Sequence, residues 1–371
     1  MKILLLCWRD STHPQGGGSE RYLERVGEYL ARQGHEVVYR TAGHTDAPRR
    51  SQRNGVRYSR SGGKFTVYPR AWFGIALGRI GIGTLGNIDV VVDTQNGIPF
   101  FARLVTDAPT VLLTHHCHRE QWPVAGPFLS RLGWFLESQV APRVHRGAPY
   151  VTVSEASRAE LVELGVRAED IEIITNGVDP VPEYVPQLRR AEGTTHLVTL
   201  SRLVPHKQLE HAVDVVAALR ERDLVLDVIG SGWWEDQLRE HARRRGVAER
   251  VIFHGQVTED YKHALLARAS VHLMPSRKEG WGLAVMEAAQ HGVPTIGYRS
   301  AGGLRDSIVD GETGLLVDTP AELTVCTARL LDAPALTTRL GAAARQRAQG
   351  YSWDLTGERV AALLARLVPQ A

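Results

Sequence analysis

The chain has 371 residues, of which 43% are apolar and 23% are charged, and its formal net charge is +3. This length and composition predict a soluble globular protein of about two domains. Acidic and basic residues nearly balance, which argues against generic nucleic-acid binding.

Targeting and covalent features give little further information. No apolar run approaches the roughly 18 residues that a membrane-spanning helix needs, and the opening stretch is too short for a signal peptide. The three cysteines are odd in number and far apart, so they indicate neither a disulfide framework nor a zinc site. We therefore expect a cytoplasmic protein, with the inner membrane surface as the alternative location.

Short apolar runs alternate with helix-length segments in the first half of the chain, which predicts a parallel α/β domain. A helix is expected over residues 20–32, with Gly34 as its stop signal. Its apolar face comprises Tyr22, Leu23, Val26 and Leu30. The predicted strands are residues 2–7, 36–40, 89–93, 110–114, 150–153 and 171–175.

A glycine loop, Gly16-Gly17-Gly18, connects the first strand to the first helix. Glycines there let the backbone approach a phosphate or a sugar closely. The loop does not match the dinucleotide pattern G-x-G-x-x-G, so NAD binding is a poor interpretation.

Basic and aromatic residues are mixed over residues 56–81. Such mixtures contact anionic membrane surfaces or acceptor substrates. A solvated helix face with core aromatics is the more common explanation.

Three histidines, His115, His116 and His118, lie in the stretch 114–122 after the strand at 110–114. The His-x-x-His spacing suits a metal, but the sequence nominates no third ligand for zinc. Imidazoles that line a binding cleft, with one of them near the reacting sugar, are therefore the preferred interpretation, and a purely structural role is as common for any one of them. Asn96, also near a strand end, joins His115 and His118 as an acceptor-side candidate.

A change in composition from residue 176 to residue 195 predicts a linker, and a second α/β series follows it. We place the first domain at 1–182 and the second at 183–353, with a final amphipathic helix at 354–371 that packs on the first domain. Ligands in such folds bind at the carboxyl ends of the strands. The predicted strands are residues 196–200, 225–229, 251–253, 271–274, 294–297 and 314–317.

Two cations, Arg202 and Lys207, lie on one loop after the first strand of the second half. Such a pair suits a diphosphate and would stabilise the charge that develops on a departing one. The chain contains no Asp-x-Asp pattern, so we expect the two cations to replace a metal. Gly230-Ser231-Gly232 also follows a strand, but a single G-x-G pattern is equally typical of a tight turn.

Two glutamates, Glu279 and Glu287, flank a predicted glycine turn and helix start after the strand at 271–274. Free backbone N–H groups at a helix N-terminus attract phosphate. This element has the reach to hold the sugar, the diphosphate and the ribose of a nucleotide sugar. Two solvated acids on a surface helix are the ordinary alternative.

In combination these motifs resemble the retaining glycosyltransferases of family four. The matching stretches are residues 16–18, 34–37, 176–179, 201–207, 275–276, 279–287 and 311–317. The resemblance implies the GT-B fold, two Rossmann-like parallel-sheet domains that face each other across a deep cleft. It covers nearly the whole chain.

The same resemblance implies roles for individual residues. Glu279 would bind donor-sugar hydroxyls, Glu287 the ribose hydroxyls, and Arg202 with Lys207 the diphosphate. His116 would be the cleft histidine, with His115 and His118 as the alternatives. The remaining implied donor residues are Gly16, Gly17, Gly18, His254, Val257, Gly280, Trp281, Gly282 and Leu283.

Two departures from the family pattern, Ser201 and Trp281, leave the reaction class intact and put the sugar's identity in doubt. We expect metal-independent transfer, with retention, from a UDP- or GDP-sugar to a glycan, lipid or small metabolite, without a cofactor. Peripheral membrane contact is a further expectation. The alternatives are a nucleotide-sugar epimerase or hydrolase on the same fold, and a non-catalytic nucleotide-sugar-binding protein.

Overall fold

The computed structural model describes residues 1–13, 16–120, 122, 126–188 and 193–368. They form two compact units. Unit 1 comprises Met1–Gly177 and Trp353–Ala371, and unit 2 comprises Val178–Ser352. Residues 189–192 of the expected linker and Gln121 of the histidine stretch lie outside the described residues.

Unit 1 is built on a sheet that has eight strands within the described ranges, in the order β3-β4-β2-β1-β5-β6-β7-β8. All neighbours are parallel except β3 and β4. The strands are β1 Lys2–Leu6, β2 Glu36–Thr41, β3 Arg50–Arg53, β4 Val56–Arg60, β5 Val90–Thr94, β6 Thr110–Leu113, β7 Tyr150–Thr152 and β8 Ile171–Ile173. The first helices are α1 Gly18–Arg32, α2 Val67–Arg79, α3 Pro127–Phe135, α4 Ala141–Val144 and α5 Glu155–Glu163.

The antiparallel edge pair β3 and β4 corrects the interpretation of residues 56–81. The sequence analysis assigns no strand there and favours a solvated helix face, but the first part of the segment is β4 and only α2 is helical. Arg-Ser-Gln-Arg forms β3 at the sheet edge, where half-exposed strands need no apolar run.

Helix α1 confirms the predicted amphipathic pattern. Tyr22, Leu23, Val26 and Leu30 are all buried, and the helix ends at Arg32 before Gly34, whose φ of 84° is left-handed. Such a conformation favours glycine and closes the helix.

The final helix, α13 Trp353–Leu367, packs on unit 1. At Gly357 it passes so close to α1 that a Cβ atom would lie 2.3 Å from Cγ of Tyr29. The Thr356 hydroxyl donates to the Thr175 carbonyl at 3.0 Å, and Arg359 donates to the carbonyl of Ile173 at 2.7 Å. Close packing and these side-chain bonds together hold the helix in place.

Unit 2 is built on a parallel sheet with six strands in the part of the chain that is described, in the order β11-β10-β9-β12-β13-β14. All six predicted strands are confirmed to within about two residues at each end. They are β9 Thr195–Leu200, β10 Leu224–Ile229, β11 Val251–Gly255, β12 Val271–Met274, β13 Thr295–Tyr298 and β14 Gly314–Val317. The helices are α6 Glu210–Ala218, α7 Glu235–Arg244, α8 Glu259–Arg268, α9 Leu283–Gln290, α10 Leu304–Ser307, α11 Pro320–Asp332 and α12 Pro334–Ala348.

Two apolar clusters bury the strands of unit 2. One includes Leu197, Leu226 and Leu273, and the other includes Val198 and Leu265. Because side chains alternate along a strand, Leu197 and Val198 of β9 pack on opposite faces of the sheet. Across the described residues of both units, no helix combines the length and the apolar character that crossing a membrane requires.

Candidate functional site

The loop after β9 carries Arg202 and Lys207, and the backbone of a neighbouring glycine turn supports it. The amide of Leu203 donates to the carbonyl of Ser231 at 3.0 Å. A Cβ atom on Gly230 would lie 2.0 Å from the Ser201 oxygen, and one on Gly232 would lie 2.1 Å from the Leu203 oxygen. The Gly-Ser-Gly turn is therefore required for packing beneath the loop.

Lys207 and Glu279 form an ion pair through Nζ and Oε1. The two side chains are only 13% and 10% exposed. The Arg277 amide donates to the His206 carbonyl at 2.9 Å, which ties the segment after β12 to the loop after β9. A largely buried ammonium and carboxylate are thus held together at the carboxyl ends of two neighbouring strands.

Helix α9 begins directly after this pair. Gly282 precedes the helix with a φ of 102° and provides no side chain to cap it. The chain is tightly folded here, since a Cβ on Gly303 would lie 2.4 Å from the Gly280 oxygen. The N-terminus of α9 therefore presents backbone N–H groups and the positive end of the helix dipole beside Lys207.

Glu287 lies farther along α9 and pairs with Lys262 of α8, with Nζ 2.6 Å from Oε1. Burial raises the pKa of the Glu287 carboxyl, and the Lys262 ammonium opposes that shift. The two predicted acids thus have different lysine partners on different elements.

The Trp281 indole is 2% exposed and packs edge-on against Tyr351 with ring centroids 5.0 Å apart. A buried indole leaves only the backbone of Trp281 for contact with a ligand. The aromatic residue at this position therefore anchors the glycine turn.

His254 lies in β11, an edge strand of the sheet, and Val257 follows that strand. Nε2 of His254 lies 2.8 Å from Oδ1 of the buried Asp227 on β10. His196 contacts the other oxygen at 2.8 Å, and Arg268 donates to both at 2.9 Å. Although burial opposes it, the bonds from the two histidines hold the pKa of Asp227 well below its usual range.

Val257 is half-buried against the apolar cluster that includes Leu265. The side chains of His254 and Val257 are therefore both engaged within unit 2. Between them Gln256 is exposed, and Gly255 is half-buried with a left-handed φ of 66°.

In unit 1 the glycine loop is hydrogen-bonded to a carboxylate from α1, the helix that it precedes. Glu20 is buried, and its Oε2 accepts from the Gly17 amide at 2.8 Å. Its Oε1 accepts from Arg9 at 2.9 Å and from Asn96 at 3.0 Å. A fixed carboxylate at this N-terminus repels phosphate, so the loop suits hydroxyl groups better than a diphosphate.

The three histidines after β6 differ in their surroundings. His115 is buried edge-on against Tyr22, and burial lowers its pKa to about 4. His116 and His118 are half-buried and stack with ring centroids 4.5 Å apart.

A buried acid, Glu137, holds this stretch in place. Its Oε1 accepts from the His118 amide at 2.9 Å, and its Oε2 accepts from Trp122 at 2.6 Å. The structure thus makes His115 a core residue and leaves His116 and His118 nearer the surface.

Of the predicted residues, the structure brings together Lys207, Glu279 and the turn at Gly280–Leu283, with the exposed Arg202 on the same loop. Sequence reasoning missed Lys262 and Asp227. Among the residues that the structure describes, no group of three or more His, Cys, Asp or Glu side chains is placed to hold a metal ion.

Comparison with known proteins gives matches along nearly the whole chain. Residues 181–347 match the family model described as "Glycosyl transferases group 1", and residues 16–181 match "Glycosyltransferase Family 4". The chain is 29% identical to an "MMP alpha-(1->4)-mannosyltransferase" of Mycolicibacterium hassiacum, over 99% of this chain and 98% of that protein.

A second relative is the "GDP-mannose-dependent alpha-(1-6)-phosphatidylinositol monomannoside mannosyltransferase" of Mycolicibacterium smegmatis, 31% identical over 70% of each chain. Among solved structures, sucrose-phosphate synthase from Thermosynechococcus elongatus superposes with a TM-score of 0.83 at 20% identity, over 99% of this chain and 98% of that chain. That likeness establishes two Rossmann-like parallel-sheet domains, the GT-B fold.

Proposed function

The chain belongs to glycosyltransferase family four and is a glycosyltransferase, and from this premise we propose that it uses a nucleoside diphosphate sugar, retains the anomeric configuration and needs no metal. The observation that carries the proposal is the Lys207–Glu279 pair beside the uncapped N-terminus of α9. A cation and free N–H groups together suit a diphosphate, and the adjacent carboxylate suits sugar hydroxyls.

Lys207 acts on the leaving group in this proposal. When the bond between the anomeric carbon and the diphosphate oxygen breaks, negative charge develops on that oxygen. A pre-positioned ammonium stabilises the charge without reorganisation, and Arg202 adds a second cation from the same loop. These two side chains supply the stabilisation that a divalent metal supplies elsewhere.

Glu279 binds the donor sugar. Its carboxylate is already paired with Lys207, which supports a binding role over that of a covalent nucleophile. Retention then follows from attack by the acceptor hydroxyl on the face that the diphosphate leaves, with the hydroxyl proton passing to the departing phosphate oxygen.

The nucleoside binds farther along unit 2. Glu287 accepts bonds from the ribose hydroxyls, and the segment 255–256 with the backbone of His254 and Val257 lies by the base. The name of the relative from M. smegmatis specifies GDP-mannose, so GDP-mannose is our first donor and a UDP-sugar is the second.

The acceptor binds to unit 1 in this scheme. The stacked His116 and His118 offer hydrogen-bonding groups for hydroxyls, and so does the Glu20–Asn96 pair with the glycine loop. His116 is our choice for the histidine nearest the reacting sugar.

We also propose that unit 1 contacts a membrane surface. Phe65, Phe73 and Ile80 on and beside α2 are 64%, 67% and 70% exposed, and Arg70 on α2 is exposed as well. Flotation with vesicles of phosphatidylglycerol tests this. We expect weaker association for Phe73→Ser, and no association of the wild-type protein would contradict the contact.

Transfer is tested by incubating the protein with radiolabelled GDP-mannose or UDP-glucose and a panel of lipid and glycan acceptors. Glu279→Ala and Lys207→Ala should lose transfer, and either variant with full activity would overturn the proposed site. Incubation with donor alone separates the alternatives, since an epimerase or hydrolase yields a changed or free sugar without acceptor. Tight donor binding without any product would favour a non-catalytic binder.

A further inference from the structure

Lys262 is the basic residue of unit 2 that forms an ion pair with Glu287. Both side chains are largely buried, at 12% and 16% exposure, and Nζ lies 2.6 Å from Oε1 of Glu287. The same ammonium lies 2.7 Å from Oε2 of Glu259, one helical turn earlier on α8. Lys262 thus contacts two carboxylates. That of Glu259, on the same helix, is exposed, and that of Glu287, on α9, is largely buried.

The surroundings of Glu287 are acidic apart from this lysine. Burial raises the pKa of the Glu287 carboxyl. The negative charges of Glu259 on α8 and of Asp179, near the start of unit 2, raise it further. The neighbouring histidines are His263 of α8 and His291, which follows α9, with their ring nitrogens 2.7 Å apart.

Those histidines do not replace the lysine's charge. Burial lowers the pKa of His263 and brings that of His291 to about 4, so both rings are neutral near pH 7. The positive charge of Arg345 on α12 also lowers the pKa of His291. Lys262 is therefore the cation that contacts Glu287 among the described residues.

The vicinal hydroxyls of a ribose are two donors, and a carboxylate accepts both through its two oxygens. A protonated carboxyl carries a donor on one oxygen and loses part of that capacity. Without Lys262, burial and the two neighbouring acids would raise the pKa of Glu287 further and so favour its protonated form.

We propose that Lys262 is a positioning residue that keeps Glu287 ionised and oriented for the two hydroxyls of the donor's ribose. The inference rests on the proposed function, in which Glu287 binds that ribose. It predicts that the protein distinguishes ribonucleotides from 2′-deoxyribonucleotides, and that this selectivity depends on a residue outside the family's motif.

The sign of the pH effect follows from the requirement for an ionised carboxylate. Nucleotide affinity is constant above the pKa of Glu287 in the free protein, and it falls by at most tenfold per pH unit below that pKa. Lys262→Met raises the pKa, so the decline in affinity begins at a higher pH than in the wild-type protein.

The experiment is isothermal titration of the full chain with GDP and 2′-deoxy-GDP, or UDP and 2′-deoxy-UDP, between about pH 5.5 and 8.5. The proteins are wild type, Lys262→Met, Lys262→Gln, Lys262→Arg, Glu287→Gln and the control Glu259→Gln, which leaves the Lys262–Glu287 pair intact. The ratio of the two dissociation constants removes the titration of the phosphates, which both nucleotides share.

We expect Lys262→Met and Lys262→Gln to weaken ribonucleotide binding about tenfold near pH 7, which corresponds to one pKa unit, and increasingly so as the pH falls. Lys262→Arg should restore the wild-type profile, and Glu259→Gln should match it or bind more tightly. Binding of the deoxynucleotides should change little among these proteins.

Two results would overturn the inference in different ways. If Lys262→Met and Lys262→Gln keep the wild-type pH profile while Glu287→Gln loses affinity, Lys262 has no such role and the proposed function stands. If the wild-type protein binds neither GDP nor UDP at any pH, the proposed function itself fails.

Discussion

The segments after β6 and after β12 each follow a buried parallel strand of their sheet, yet their acidic side chains have different kinds of partner. After β6, the buried Glu137 is saturated by the His118 amide and the Trp122 indole. After β12, Glu279 and Glu287 are each paired with a lysine whose side chain retains some exposure. The first arrangement fixes the position of the histidine stretch, whereas the second holds charges that can exchange partners.

This difference indicates which ligand each unit suits. Ion pairs beside a helix N-terminus can re-form around a dianion, because the lysine can contact phosphate while the carboxylate turns to hydroxyls. A buried acid bonded to fixed N–H groups has no such freedom, and its removal leaves donors unsatisfied. We therefore expect variants of Glu279, Glu287 and their lysine partners to change kinetics, and variants of the buried Glu137 to change stability.

The largest effect is expected from Lys207→Ala, because it removes the cation that stabilises the leaving diphosphate. The kcat for transfer should fall about 10²–10³-fold, as when one fixed donor to a developing charge is removed. Steady-state assays with saturating donor measure it. Arg220→Ala, at an exposed position of unit 2, is the matched control, and a kcat for Lys207→Ala equal to that of this control would remove Lys207 from the chemistry.

Glu137→Gln should have a smaller effect, and of a different kind. The new amide group would face an N–H donor, so the free energy of unfolding should fall by about 1–3 kcal/mol. Urea titration measures it, with the exposed Glu163→Gln as control. If Glu137→Gln leaves the free energy of unfolding unchanged and weakens donor binding, Glu137 has a binding role and the difference proposed between the two segments is wrong.

Buried histidines make stability depend on pH in both units. Burial lowers the pKa of His115 to about 4 and that of His272 to about 3. Because the unfolded rings take up protons near pH 6.5 and the folded ones do not, this stability is complete above that pH and is lost as the pH falls toward the folded pKa.

Each such ring should contribute a slope of up to about 1.4 kcal/mol per pH unit below pH 6.5. Urea titrations of wild type and His272→Gln at several pH values isolate the contribution of His272 as the difference between the two proteins. A constant difference from neutral to acid pH would show that His272 takes up protons equally in both states.

The smallest effect is expected from metal removal. If Arg202 and Lys207 stabilise the diphosphate alone, EDTA should change the transfer rate less than about twofold, well below the effect of losing one charge contact. Assays before and after chelation, followed by added Mg²⁺, measure this. A loss on chelation that Mg²⁺ restores would contradict metal independence.

Much of the fold was predictable because buried parallel strands appear as apolar runs. Val271–Met274 and Gly314–Val317 have the predicted bounds. The edge strand β3, Arg-Ser-Gln-Arg, was not predictable, since its pairing with β4 depends on backbone bonds rather than on an apolar pattern.

The candidate site was predictable where it is local in sequence. The glycine turn and α9 follow from the spacing of Glu279 and Glu287. Lys262 was not predictable, because beside Glu259 it has the pattern of an ordinary surface pair, and its contact with Glu287 depends on how α8 packs on α9. Asp227 likewise acquires His196, His254 and Arg268 only through the order of strands in the sheet.

The central claim is that unit 2 holds a nucleoside diphosphate at Lys207 and Glu287, and nucleotide titration tests it most directly. Calorimetry with GDP and UDP should show binding of one of them to the wild-type protein, unchanged by EDTA and at least about tenfold weaker in Lys207→Ala and Glu287→Gln, the loss expected for one charged hydrogen bond. Absence of binding to the wild-type protein, or equal affinity in both variants, would contradict the claim.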